Sequence, residues 1–98
     1  MIMRLRRQRV AKAFGRVLRD LRHARGLSQE RLADLGNFDR TYPSLLERGL
    51  RTPTLTVVFK LADVLGVTPS LLVGQALDET RKRGSTRRRD KDPVPPQQ

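Results

Sequence analysis

Residues 28 to 49 read SQERLADLGNFDRTYPSLLERG, and the order of small, polar and apolar residues there decides how the chain folds. Ser28 is a residue type whose side-chain oxygen accepts from the first free backbone N–H groups of a helix, so a short helix is expected from Gln29 to about Leu35. Leu27, Leu32 and Ala33 are its inward residues. Gly36 and Asn37 follow as a turn, asparagine being one of the few residues that tolerate the left-handed conformation, and Phe38 returns the chain to the core. Asp39 is a good N-cap for a further helix to about Arg48, with Leu46 inward and Gly49 ending it. Two short helices joined by a tight turn, the second with polar side chains at its start, form a helix-turn-helix.

Pro43 disturbs the start of that second helix. Its missing N–H removes the first bond to the Asp39 carbonyl, and its ring pushes Tyr42 away from helical backbone angles. Two outcomes are open: a distorted first turn, or a helix that begins near Thr41 and leaves Arg40 and Thr41 on the preceding turn.

Outward from the motif, Val10, Phe14, Val17, Leu18 and Leu21 recur at helical spacing and predict a helix from about Val10 to Arg25, stopped by Gly26. On the other side Thr54 can cap a helix from Leu55 to Leu65 that ends at Gly66, and Thr68-Pro69 restarts one through Leu71, Leu72 and Val73. The Leu55–Leu65 segment carries two apolar stripes. Leu55, Val58, Phe59, Ala62 and Leu65 form one, expected to face the core; Val57, Leu61 and Val64 form the other, which needs a second cover.

The expectation is an all-α fold, a compact five-helix domain over residues 10–77. A basic arm over 1–9 precedes it, and a basic, Pro-rich tail over 78–98 follows. The tail is read as disordered because it lacks the apolar residues to offset the entropy of ordering it.

Charge points to the partner. The 98 residues carry 21 Lys and Arg against 10 Asp and Glu, a net charge of +11. Residues 1 to 25 hold nine basic groups and the single acid Asp20, and residues 78 to 98 hold seven basic groups and four acids. A balanced centre between basic ends suits a polyanion, since each cation that neutralises a phosphate releases condensed counterions. The plainer alternative is that the charge keeps a small protein in solution.

Other function classes lose support. The absence of cysteine and the presence of one histidine, His23, leave no zinc site to build, and no cofactor is expected. Asp34, Asp39 and Asp63 are scattered over cap and surface positions instead of converging for acid-base work, so no enzyme is expected. The opening MIMRLRRQRVAKAF has no apolar run of signal-peptide length, and no stretch approaches the ~20 apolar residues of a membrane span. A cytoplasmic protein without a membrane partner is expected.

The segments LRDLR (18 to 22), GLSQERLA (26 to 33), DRTYPSLLERG (39 to 49), TPTL (52 to 55) and LADVLGVTP (61 to 69) together resemble the Xre-type family of phage-repressor-like helix-turn-helix domains, over roughly residues 14 to 73 in one register. That resemblance implies a five-helix fold with the second and third helices as the DNA-reading unit. It also implies a dimeric regulator of transcription, often a repressor or an autoregulating antitoxin. Gln29 falls at the position that anchors the DNA backbone, with Arg48 and Arg51 flanking the loop beyond, and Arg22 and Glu47 fall at positions that pair across the first and third helices. The position of Leu45 often reads a base; an apolar side chain there can only touch a thymine methyl or pack inward.

The third helix supports the same reading on physical grounds, because an α-helix fits the major groove and presents its first-turn side chains to base edges. Arg40 is the strongest base reader: its fork matches guanine O6 and N7, the alternative being a phosphate. Thr41, Tyr42 and Ser44 are the other candidates, with packing as the alternative for Tyr42. Val57, Leu61, Val64, Leu71 and Leu72 are the candidate dimer surface unless the fifth helix covers that stripe. The function expected is specific binding of double-stranded DNA by a homodimeric repressor at a palindromic operator. The alternatives are an antitoxin-like partner of a second protein such as a toxin or polymerase, and a nonspecific nucleic-acid binder driven by its arms.

Overall fold

The computed structural model describes residues 2–91, and side chains for residues 6–82. Five helices follow one another: α1 (Ile2–Ala24), α2 (Gln29–Gly36), α3 (Tyr42–Glu47), α4 (Leu55–Leu65) and α5 (Pro69–Lys91). Among the described residues there is no strand.

Short-range chemistry sets most of the boundaries. The Ser28 hydroxyl accepts from the Arg31 N–H at 2.9 Å, and the Thr54 hydroxyl accepts from the Val57 N–H at 3.2 Å, so each satisfies one donor that a helix start leaves free. Thr68 does the same for Leu71 at 3.0 Å, ahead of Pro69. Asn37 adopts φ 57°, ψ 47°, and its N–H closes the end of α2 on Ala33 and Asp34.

Leu18, Leu32, Leu46, Leu61, Leu65 and Leu72 are fully buried, joined by Phe14, Val17, Val58, Ala62 and Ala76. Every helix contributes to this one core. α5 packs along α1, with Glu79 Oε2 3.7 Å from Arg16 Nε. α4 and the Pro69–Lys82 part of α5 meet at 105°.

Three expectations change. α1 begins at Ile2 and not near Val10, so the segment read as a basic arm is helical from its second residue. α5 runs on to Lys91, so residues 78–91 of the segment read as a disordered tail are helical; the Pro-rich end, 92–98, lies outside the described residues. Both segments lack proline and are rich in Arg and Lys, which propagate a helix readily once a packed part has nucleated it.

The third change concerns α4. Leu61 and Leu72, placed on the dimer surface, are fully buried within the protomer, while Leu55 and Phe59, placed in the core, are 71% and 54% exposed. Val57 and Val64 are half-buried against the core, and Leu71 is exposed. Lys60, on the same side of α4 as Val57 and Val64, has its Nζ 4.8 Å from the centre of the Phe38 ring, so that side faces the turn after α2. Leu61, from the stripe that needed a second cover, is buried, and α4 packs against both α2 and α5. No single helix among the described residues is long and apolar enough to cross a membrane.

Candidate nucleic-acid interface

Pro43 sets where the candidate reading helix starts. The helix opens at Tyr42, with Pro43 in its first turn and fully buried, and Arg40 and Thr41 lie on the preceding turn. Asp39 therefore does not cap α3. Its carboxylate closes the turn instead, accepting from the Thr41 hydroxyl at 2.6 Å and from the Thr41 backbone N–H at 3.0 Å. The hydroxyl bond first, and the backbone bond second, hold the Asp39 carboxyl below the ordinary carboxylate range. A depressed folded value means that the turn keeps this contribution above the unfolded value and loses it as pH falls through the folded one. An NMR titration is expected to place the Asp39 midpoint below 3.8. A midpoint at or above that value would mean that the turn bonds are absent in solution.

Arg40 is exposed, and its guanidinium pairs with Glu30 from the first turn of α2. This bond, with the Coulombic pull of Glu30 behind it, favours the charged form of Arg40. Glu30, Ala33, Asp34, Phe38 and Arg40 line a shallow open hollow of about 200 Å³ beside the turn. Tyr42 is half-buried and packs on Phe38, ring centres 5.6 Å apart and planes tilted by 47°, so packing accounts for its ring. Ser44 and Leu45 are half-buried, and Leu46 is inside.

Behind this surface Arg22 and Glu47 tie α1 to α3. Arg22 donates from Nε and a terminal nitrogen to the two Glu47 oxygens at 2.6 and 3.0 Å, and from its other nitrogen to the Leu27 carbonyl at 2.8 Å. A terminal Arg22 nitrogen also lies 3.3 Å from Nε2 of His23, a residue otherwise on the exposed side of α1. Gln29 adds its amide to Glu47 at 3.0 Å, so the residue placed at the DNA backbone also sits in this network. Arg48, at the end of α3, and Arg51, in the following loop, are both exposed.

The structure thus gathers Arg40, Thr41 and Tyr42 at the start of α3, Gln29 at the start of α2, and Arg48 with Arg51 at the far end. Two residues that matter here were missed in the sequence. Glu30 shows its role only through its contact with Arg40, although an acid in the first turn of α2 facing a basic turn was a signal. Gly15 stands where α1 meets α3, so close that an added Cβ would lie 2.5 Å from the carbonyl oxygens of Leu46 and Glu47. A glycine inside a helical pattern was the cue. Among the described residues, no group of His, Cys, Asp or Glu converges to hold a metal ion.

The fold is shared with known proteins. Residues 13–73 match the model of a helix-turn-helix domain family. The HTH-type transcriptional regulator y4dJ of Sinorhizobium fredii is 41% identical over 69 residues, 70% of this chain and 88% of its own. The restriction-modification controller protein C.AhdI of Aeromonas hydrophila is 47% identical with a TM-score of 0.62, covering 63% of this chain and 94% of its own. The clp gene regulator ClgR of Corynebacterium glutamicum, at 22% identity, shares the fold with a TM-score of 0.76 over 80% of this chain and 83% of its own. With its match spanning most of the five helices, the chain belongs to the helix-turn-helix family of DNA-binding transcriptional regulators, in its Xre-like branch.

Proposed function

We propose that this protein is a dimeric repressor, acting in the cytoplasm, that reads a palindromic operator with the turn and first residues of α3. The observation that carries the reading is Arg40: exposed beside Thr41 at the head of a short helix whose other side is anchored by buried Pro43 and Leu46. Its planar fork suits guanine O6 and N7 in the major groove. Glu30 holds that fork across the turn, which limits the rotamers it must give up on binding. Thr41, Tyr42 and Ser44 then contact bases or the adjoining backbone. Gln29 at the start of α2, with Arg48 and Arg51 beyond α3, holds phosphates on either side.

The dimer contact moves from the stripe expected in the sequence to the apolar groups that the fold leaves uncovered. Leu55 and Phe59 lie one turn apart on α4, and Leu71, Val73 and Leu77 are exposed on α5. A second copy of the chain would cover them, and two-fold symmetry would set its reading helices about 34 Å apart on successive major grooves.

Selection of bound duplexes from a random pool at about 150 mM salt tests this. A palindrome with half-sites one helical turn apart is expected, and Arg40→Ala is expected to cost about 1–3 kcal/mol of discrimination at one base position in each half-site. A motif unchanged by Arg40→Ala would remove Arg40 as a reader; no enriched motif would sink specific binding altogether. A second reading is favoured by the 47% identity to C.AhdI: the genes controlled encode a restriction-modification pair. Placement of the selected motif upstream of such genes supports it, and placement elsewhere refutes it.

A further inference from the structure

The outer face of α1 carries a row of basic side chains that the reading helix does not use. Arg9, Lys12, Arg16, Arg19 and His23 follow one another at alternating separations of three and four residues, so they share one side of the helix over ~21 Å. All are exposed, while Ala11, Phe14, Val17, Leu18 and Arg22 turn inward. Arg16 is paired with Glu79 at 3.7 Å; among the described residues Arg9, Lys12 and Arg19 have no ion pair. Like charges on successive turns repel, so the row weakens the helix that bears it and calls for a countercharge from outside.

The row also continues into the candidate interface. Gly49, just after α3, lies so close to α1 that an added Cβ would be 2.7 Å from Lys12 Cγ and 3.0 Å from Lys12 Cα. Lys12 is thereby the neighbour of the loop that holds Arg48 and Arg51.

We propose that this face of α1 is a second phosphate-binding surface, which takes the sugar-phosphate backbone of the duplex flanking the operator half-site. The inference rests on the reading that the α3 side of the molecule faces DNA. The chemistry of the row selects the backbone. It offers Lys and Arg charges for phosphates, and among the described side chains it holds no aromatic or large apolar group to stack on a base or to anchor the core of a protein interface. It therefore adds affinity without adding sequence preference.

The test is the full chain carrying Arg9→Gln, Lys12→Gln and Arg19→Gln together, which leaves the Arg16–Glu79 pair and all of α2 and α3 in place. Dissociation constants are measured against salt on two duplexes, one ending at the half-sites and one longer by about one helical turn, ~10 base pairs, on each side. The wild-type protein is expected to prefer the longer duplex. The variant is expected to bind both equally, with a log–log salt slope on the longer duplex shallower by about 0.9 for each lost phosphate contact, up to about 2.7 per protomer, and with the same preferred sequence. Its melting temperature should equal or exceed that of the wild type, since only repulsion has been removed. An unchanged slope and an unchanged length preference would overturn the proposal and leave the row to an acidic protein surface or to solvent. The slope is read on a longer duplex of any sequence, so loss of sequence preference would count against the α3 reading alone.

Discussion

Glu47→Ala is expected to lower stability by about 3–5 kcal/mol, the cost of stripping one partner from a buried ion pair. The Arg22 and Glu47 side chains retain only 9% and 5% of their exposure. Without the carboxylate, the Arg22 guanidinium keeps the Leu27 carbonyl and the His23 ring but no negative charge, in a site that water barely reaches. Gln29 loses its partner at the same moment. Against a total stability of about 5–15 kcal/mol, this brings the domain close to unfolding. At about 4–8 °C per kcal/mol for a domain of this size, the melting temperature should fall by more than about 12 °C. A fall of under about 4 °C would show that the pair is solvated in solution. Replacing both residues, Arg22→Met with Glu47→Leu, is expected to recover most of the loss, because it removes the unpaired charge together with its desolvation cost. Orientation of α1 against α3, more than net stability, is then what the pair contributes.

Gly15→Ala is expected to destabilise by about 3 kcal/mol or more, against the ordinary sign of a glycine replacement inside a helix. The obstacle is backbone. An alanine Cβ would stand 2.5 Å from the Leu46 and Glu47 carbonyl oxygens and 2.8 Å from the Glu47 carbonyl carbon. No rotamer change relieves that contact; α1 and α3 must move apart, which opens the core around Leu18 and Leu46 and pulls on the Arg22–Glu47 bonds. Gly74, in α5, is the control, since a Cβ there meets nothing within 4 Å. Gly74→Ala should stabilise by about 0.5–1 kcal/mol through lower entropy of the unfolded chain. Thermal melts of the two variants, moving in opposite directions, check the argument. Equal shifts would show that α1 and α3 approach less closely than described.

The two sites differ in how visible they were. Arg22 and Glu47 could be joined in advance only through a family resemblance, because nothing within a few residues of either dictates a partner 25 positions away. Gly15 was passed over, since its neighbours fit a helical stripe without it. Pro43, by contrast, announced its effect: a residue with no N–H is tolerated in the first turn of a helix but not beyond it, and of the two outcomes open, the late start at Tyr42 is the one found. For the proposed reading face, this places Arg40 and Thr41 on a turn held by Asp39, and fixes Arg40 against Glu30 from another helix.

Where a boundary depends on one backbone donor or one positive φ, composition was enough. Ser28, Thr54 and Thr68 cap the helices they precede, and Gly26, Asn37, Gly49 and Gly66 take the left-handed angles that end them. Those are interactions over three or four residues, and they hold in any fold. The facing of α4, the reach of α1 and α5, and the partners of Arg22 and Arg40 rest on contacts between distant segments. α4 is apolar around most of its circumference, so periodicity favours no side; the fold turns Leu61 inward and leaves Leu55 and Phe59 in water. Packing energy, summed over the whole core, made the choice that no local pattern could.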